Sequence, residues 1–157
     1  MQVEIAPAAF SNWNALLALL KESFAYMVGR IDPPSSLNSM TEEDLRCKAS
    51  TERLIIAHER GQLVGCAYAD VRSKCVYVGK VAVAEEARSR GVARQLMAVA
   101  ESIARTAGCP VLELQTRIEL VENHKAFGAL GFKRVAETAH AGYSRPTSIT
   151  MRRPVGE

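Results

Sequence analysis

Between Arg53 and Val83 the apolar residues stop recurring at helical spacing, and three strand-like runs follow one another without a helix between them. The tight turn "RGQL" joins "RLIIAHE" to "VGCAYADV" as a hairpin, so these two runs lie side by side and antiparallel. "CVYVGKVAV" is the third run, and its near-continuous apolar character predicts burial along much of its length. Whatever else this chain does, it must build a sheet around this block.

The flanking segments supply helices. Trp13, Leu16, Leu17, Leu20 and Phe24 recur at helical spacing behind Ser11, which is expected to cap that helix. "RIDPPSSLNS" interrupts it with two prolines, and Thr41-Glu42-Glu43-Asp44 opens a second helix as a capping box, with Asp in place of the usual Glu. A longer helix is expected from about Gly91, with Leu96, Val99, Ala100, Ile103 and Ala107 on one face and Gly108 as its stop. "CPVLELQT", "LVENHKAFGAL", "FKRVAET" and "SITMRRP" then read as strand, helix, strand and strand, and Val3–Ile5 as a first strand. The order β-α-α-β-β-β-α-β-α-β-β is that of a mixed α/β (α+β) domain, taken as one unit over residues 1–157.

Bulk properties exclude several classes. A net charge of +3, with both signs interspersed, offers no basic block for nucleic acid. The most apolar stretch, "NALLALL", is too short for a bilayer, and "MQVEIAPAAF" does not resemble a signal peptide. Cys47, Cys66, Cys75 and Cys109 form no C-x-x-C pair, and the three histidines share no ligand spacing, so no metal site is expected. Reduced thiols in a cytoplasmic protein are the simplest reading.

"EEARSRGVARQL", running from Glu85 to Leu96, carries the chemistry. A loop entering a helix presents unpaired backbone N–H groups, and the helix dipole adds positive potential there. Gly91 allows close approach or an unusual dihedral, Ala93 keeps the next turn uncrowded, and Arg88 and Arg90 can bond phosphate oxygens. The stretch therefore suits a phosphate, and its length suits two linked phosphates. The motifs for a nucleoside triphosphate, a dinucleotide or a serine hydrolase, G-x-x-x-x-G-K-[ST], G-x-G-x-x-G and G-x-S-x-G, are absent.

In this setting the chain resembles the GNAT superfamily of CoA-dependent N-acetyltransferases. Arg88-Ser89-Arg90-Gly91-Val92-Ala93 is similar to that superfamily's [QR]-x-x-G-x-[GA] element. "KVAV" is similar to its bulged fourth strand, and Leu130-Gly131-Phe132 to its later helix-to-strand signature. The resemblance implies a mostly antiparallel sheet flanked by helices, with a splayed strand pair holding acetyl-CoA as co-substrate. It also implies that the amides of Arg90 to Ala93 hold the pyrophosphate, and that main-chain groups of Val81 and Val83 pair with the pantetheine arm. Val81 and Val83 are expected to serve as core residues as well.

The family's usual tyrosine acid falls on Phe127, which has no proton to give and is expected to pack against the thioester. The CoA thiolate then leaves unaided, or Tyr77 or Tyr143 reaches the sulfur. Glu113, in an "LE" similar to that of ribosomal-protein N-terminal acetyltransferases, is the candidate base, with a solvent-facing strand carboxylate as the alternative. Asn123 is a candidate for the pantetheine amides, although the family's usual asparagine position is Leu120 here. His124 lies near the same helical face, as a structural residue or a site residue, whereas His58 and His140 stand in no motif. On the acceptor side Tyr26 and Arg30, and the loop residues Tyr143 and Arg145, are candidates to line a pocket.

Two functions follow. The first is transfer of an acetyl group to a primary amine of a small molecule or peptide. The second, suggested by Phe127, is a non-catalytic acyl-CoA-binding module. A homodimer is compatible with either.

Overall fold

The computed structural model of the chain describes residues 1–156. Seven strands form one sheet in the order β1-β2-β3-β4-β5-β7-β6, where β1 is Gln2–Ile5, β2 Arg53–Glu59, β3 Gln62–Val71, β4 Val76–Val83, β5 Val111–Arg117, β6 Lys133–Thr138 and β7 Ser148–Pro154. Every neighbouring pair is antiparallel except β4 and β5, which the helix α3 (Val92–Ala107) connects. This is the expected mixed, mostly antiparallel architecture.

Helices cover both faces of the central strands. Tyr68 of β3 is fully buried and its hydroxyl donates to Leu45 O of α2 (Glu42–Thr51), at 2.9 Å. On the opposite face, Gly65 of the same strand lies against Val92, the first residue of α3. Burial on both sides explains why Leu54–Ala57 and Val64–Ala69 are buried without alternation. The helix α1 (Trp13–Phe24) buries Trp13, Leu16, Leu19 and Leu20, and α3 buries Val92, Leu96, Met97, Ala100, Ile103 and Ala104. No described helix is long and apolar enough to cross a membrane.

The termini of these helices repay comparison with the sequence. Thr41 and Asp44 form the capping box as expected, Asp44 being long enough to accept the Thr41 N–H at 2.8 Å. At α1 the residue before the helix is Asn12, not Ser11, and no side chain caps it. α3 ends at Gly108, where Gly108 N–H reaches Arg105 O and Cys109 N–H reaches Ala104 O.

Two irregularities shape the sheet. Between Cys66 and Tyr68 of β3, two residues on, β4 advances three, from Ala82 to Gly79, so one extra residue bulges in β4. Lys80 takes the positive φ there, 53°. In addition β4 and β5 pair only at Val76 with Leu112 and Tyr77 with Glu113. Beyond that point they diverge, and β5 continues with β7 alone. In the third sequence run Gly79, Lys80, Val81 and Val83 are therefore only half-buried, because its β5-side edge faces a gap, while Ala82 stays buried.

Candidate active site

The gap between β4 and β5 is a cleft of about 280 Å³. Gly79, Lys80 and Val81 of β4 form one wall, Gln115, Thr116 and Arg117 of β5 the other, and Phe24, Tyr26, Asn123, Phe127 and His140 close it from the sides. β4 carries no strand partner on its β5 side past Tyr77, so its backbone N–H and C=O groups at that edge are available to an extended ligand.

At the far end of β4, the chain enters α3 through Ser89 at φ 64° and Gly91 at φ 79°. Gly91 occupies the left-handed region that other residues adopt at a cost, and an added Cβ there would meet nothing within 4 Å. Its carbonyl accepts the first helical hydrogen bond, from Gln95 N. Among the described residues no acceptor is found for the amides of Ser89, Arg90, Gly91, Val92, Ala93 and Arg94. Six unpartnered donors stand at the positive end of a 16-residue helix, a geometry and a charge that suit an anion. A depression of about 270 Å³, lined by Val83, Arg88, Ser89, Gly91, Val92 and Ala93, opens on them.

The side chains expected around these features divide. Arg88 lines the loop depression, but Arg90 does not aim at it: its guanidinium is paired with Glu59 of β2 at 2.7 Å and holds that carboxyl below the usual range. Val81 lines the cleft and Val83 the depression, and both also pack on the core. Phe127 faces the cleft, edge-on to Phe132 at 6.2 Å between ring centroids. Asn123 lines the cleft too, with its amide hydrogen-bonded to the Tyr26 hydroxyl.

Glu113 is not among the cleft residues. It stands opposite Tyr77, where the two strands are still paired, so no gap exists beside it. Its carboxylate accepts from Cys75 Sγ at 3.3 Å and lies 3.5 Å from Arg152. Burial and that carboxylate push the Cys75 thiol up. Two residues further along the same strand face, Gln115 does border the cleft. His124 is not among the cleft residues, and its Nε2 lies 3.0 Å from Arg117 O.

Arg30 and Tyr143 are both engaged elsewhere. Arg30 makes a two-pronged pair with Glu122, at 2.7 and 2.9 Å, and Tyr143 donates to Asp32 at 2.6 Å, beside Arg145 on the same carboxylate. Arg117 adds bonds to Pro33 O and Pro34 O. The segment between α1 and α2 is thus strapped beside the cleft, which its Tyr26, Met27 and Ser35 line, and these arginines hold the strap instead of presenting a free cation to a substrate. Of the residues proposed for the acceptor side, Tyr26 alone lines the cleft. Tyr77 also lines it, with its hydroxyl pushed up by burial. Gln115, Arg117 and His140 stood in no functional motif, and Lys80 entered only as the first residue of "KVAV"; the strand pairing and the loop contacts bring them together.

A splayed parallel pair, a bulged β4 and free amides where α3 begins form one combination, and the profile of the acetyltransferase (GNAT) family matches residues 13–132. The chain belongs to that family. This GNAT domain is similar to solved structures along its whole length. To the PaiA N-acetyltransferase of Thermoplasma acidophilum, in complex with coenzyme A, the TM-score is 0.79, at 16% identity over 98% of this chain and 99% of that one. To the ribosomal-protein-S18-alanine N-acetyltransferase of Escherichia coli it is 0.72, at 14% identity over 99% and 94%. Nourseothricin acetyltransferase shares 24% identity over 68% of this chain, a match that spans 66% of that enzyme, with a TM-score of 0.62. No curated protein sequence matches the chain significantly.

Proposed function

We propose that this GNAT domain transfers the acetyl group of acetyl-CoA to a primary amine, of a small molecule or a peptide, by direct attack within a ternary complex. The observation that carries this reading is the run of free amides at residues 89–94 soon after β4, a strand whose β5-side edge is unpaired past Tyr77. The amides fit a pyrophosphate, and the β4 edge fits the amide-bearing pantetheine arm, which adds to the sheet like a strand. Acetyl-CoA supplies an activated thioester carbonyl at the cleft.

The chain's own part is to orient and to exclude water. The strap from Tyr26 to Pro34 and the loop of Tyr143 narrow the mouth, so that an amine enters from the side opposite the phosphate loop. Phe127 gives the cleft an apolar wall and donates no proton, and the thiolate departs as the C–S bond breaks. Relatives named for acceptors as different as nourseothricin and a ribosomal-protein alanine support a primary amine in general, not a particular one.

The test is calorimetric titration with acetyl-CoA of the wild type and of Ala93→Asp. An acidic residue in the first turn of a helix favours folding but sets a carboxylate among the amides that would hold phosphate. The variant is expected to keep the wild-type melting temperature and to lose acetyl-CoA affinity at least about tenfold, as for any uncompensated like charge at an anion site. Equal affinity would sink the phosphate-loop reading. A panel of primary amines, followed by thiol release, then separates a transferase from a protein that binds acyl-CoA without turning it over.

A further inference from the structure

Proton removal from the attacking amine needs a group that the site described so far does not supply. Around the cleft, Arg117 is held by two carbonyls, and the Tyr26 hydroxyl is bonded to Asn123. Tyr77 and Lys80 also line the cleft, where burial raises the pKa of the Tyr77 hydroxyl and, together with the Lys48 ammonium, lowers that of the Lys80 ammonium. The group whose hydrogen bonds fix a free lone pair beside the cleft is His140.

Its setting is specific. Thr147, fully buried, places its Oγ1 within hydrogen-bond distance of three atoms: the His140 backbone N at 2.9 Å, the His140 Nδ1, and Thr138 O at 3.4 Å. A hydroxyl has one proton and two lone pairs. All three contacts are satisfied together only if the proton goes to Thr138 O and the lone pairs accept His140 N–H and Nδ1–H. Nδ1 is then the protonated nitrogen, and Nε2 carries the lone pair. Among the described residues Nε2 has no hydrogen-bond partner, and His140 is one of the residues that line the cleft. Thr147 is itself anchored, its amide donating to Thr138 O and its carbonyl accepting from Ile118 N, both at 2.9 Å, so the ring is fixed above the end of β5.

We propose that Nε2 of His140 is the proton acceptor of the transfer reaction, an assignment that rests on the acetyltransferase reading above. As the amine nitrogen bonds to the thioester carbon, the C–S electron pair moves onto sulfur and the nitrogen's proton passes to Nε2. Amide, thiolate and imidazolium result, and the imidazolium returns its proton to the thiolate or to solvent. Thr147 acts as a positioning residue that keeps Nε2 in the basic tautomer. The charged and titratable groups facing the ring's surroundings are Tyr26 from the strap, Tyr77 and Lys80 from β4, and Arg117 from β5, with Tyr143 and Arg145 on its own loop engaged by Asp32.

The experiment compares wild type, His140→Ala and His140→Gln for acetyl-CoA binding by calorimetry and for thiol release with the primary amine that the wild type turns over best. The glutamine variant can keep a bond to Thr147 but cannot titrate. Both variants are expected to bind acetyl-CoA like the wild type and to lose about 10²–10⁴ in kcat, as for removal of a general base. The acid limb of the wild-type pH–rate profile should vanish in both, and added imidazole should restore part of the rate in His140→Ala. A variant that folds, binds acetyl-CoA and retains kcat with an unchanged pH profile overturns the assignment of His140 alone. A wild type that binds acetyl-CoA but acetylates no amine overturns the reaction and this assignment with it.

Discussion

Gly65→Ala tests whether the packing of β3 on α3 sets the position of the phosphate loop. A Cβ at Gly65 would stand 2.8 Å from Val92 Cγ1, 3.2 Å from Ala82 O and 3.4 Å from Ala57 Cβ. Carbon atoms in favourable contact are about 3.5–4.0 Å apart, so the first approach is too close by roughly 1 Å. Val92 cannot yield easily, being buried at 2% exposure and β-branched in a helix, where one side-chain rotamer dominates. Overpacking of this kind costs about 1–3 kcal/mol, against a gain of about 0.4–1 kcal/mol from a stiffer unfolded chain. The net loss is roughly 1–2 kcal/mol. For a chain of this size that is a fall in Tm of about 2–8 °C, measurable by calorimetry or circular dichroism. Because Val92 begins α3, the displaced helix start should also weaken acetyl-CoA binding. In the double variant Gly65→Ala, Val92→Ala the colliding methyl is gone, and the coupling between the two sites should be about 1–2 kcal/mol. A Gly65→Ala protein as stable as wild type, or a double variant in which the two effects simply add, would refute the contact.

Two further expectations concern stability. Glu101, 15% exposed, accepts from Arg153, Arg105 and Gly156 N. Burial by itself would raise its pKa, but the Gly156 amide and the two guanidinium groups outweigh burial and hold the carboxyl below its usual range. A depressed carboxyl stabilises the fold above its unfolded pKa of about 4.3 and loses that contribution as pH falls through the folded value. Urea midpoints measured between neutral pH and pH 3 should therefore fall less steeply in Glu101→Gln than in wild type, and parallel curves would count against the clamp. Thr41→Ala should cost about 0.5–2 kcal/mol by removing one half of the capping box, seen as a lower melting temperature with no change in acetyl-CoA affinity.

The local elements were legible in the sequence because local patterns cause them. Alternation and apolar runs mark all seven strands, Gly108 and the capping box mark helix ends, and Gly91 marks a loop that needs a left-handed residue. Backbone donors at a helix start depend only on where that helix starts, so the stretch from Arg88 to Ala93 could be read as an anion site from sequence spacing. Side-chain partners far along the chain could not. Nothing near Arg90 in sequence points to Glu59, nor near Arg30 to Glu122, and both pairs form because the sheet and the strap bring distant segments together.

The same holds for the choice between Glu113 and its neighbours. On the chain, Glu113 and Gln115 are equivalent strand positions, both on one face. What separates them is where β4 leaves β5, a consequence of a bulge at Lys80 and of pairing that ends at Tyr77. His140 shows the point most directly. Its sequence surroundings carry no motif, and its chemistry arises only once Thr147, just before β7, meets Thr138 at the end of β6 and fixes one nitrogen. Sequence determined the elements and the loop of free amides before α3, because those follow from backbone geometry over a few residues. Tertiary structure decided which side chains are free to react, because that depends on which neighbours have already claimed their hydrogen bonds.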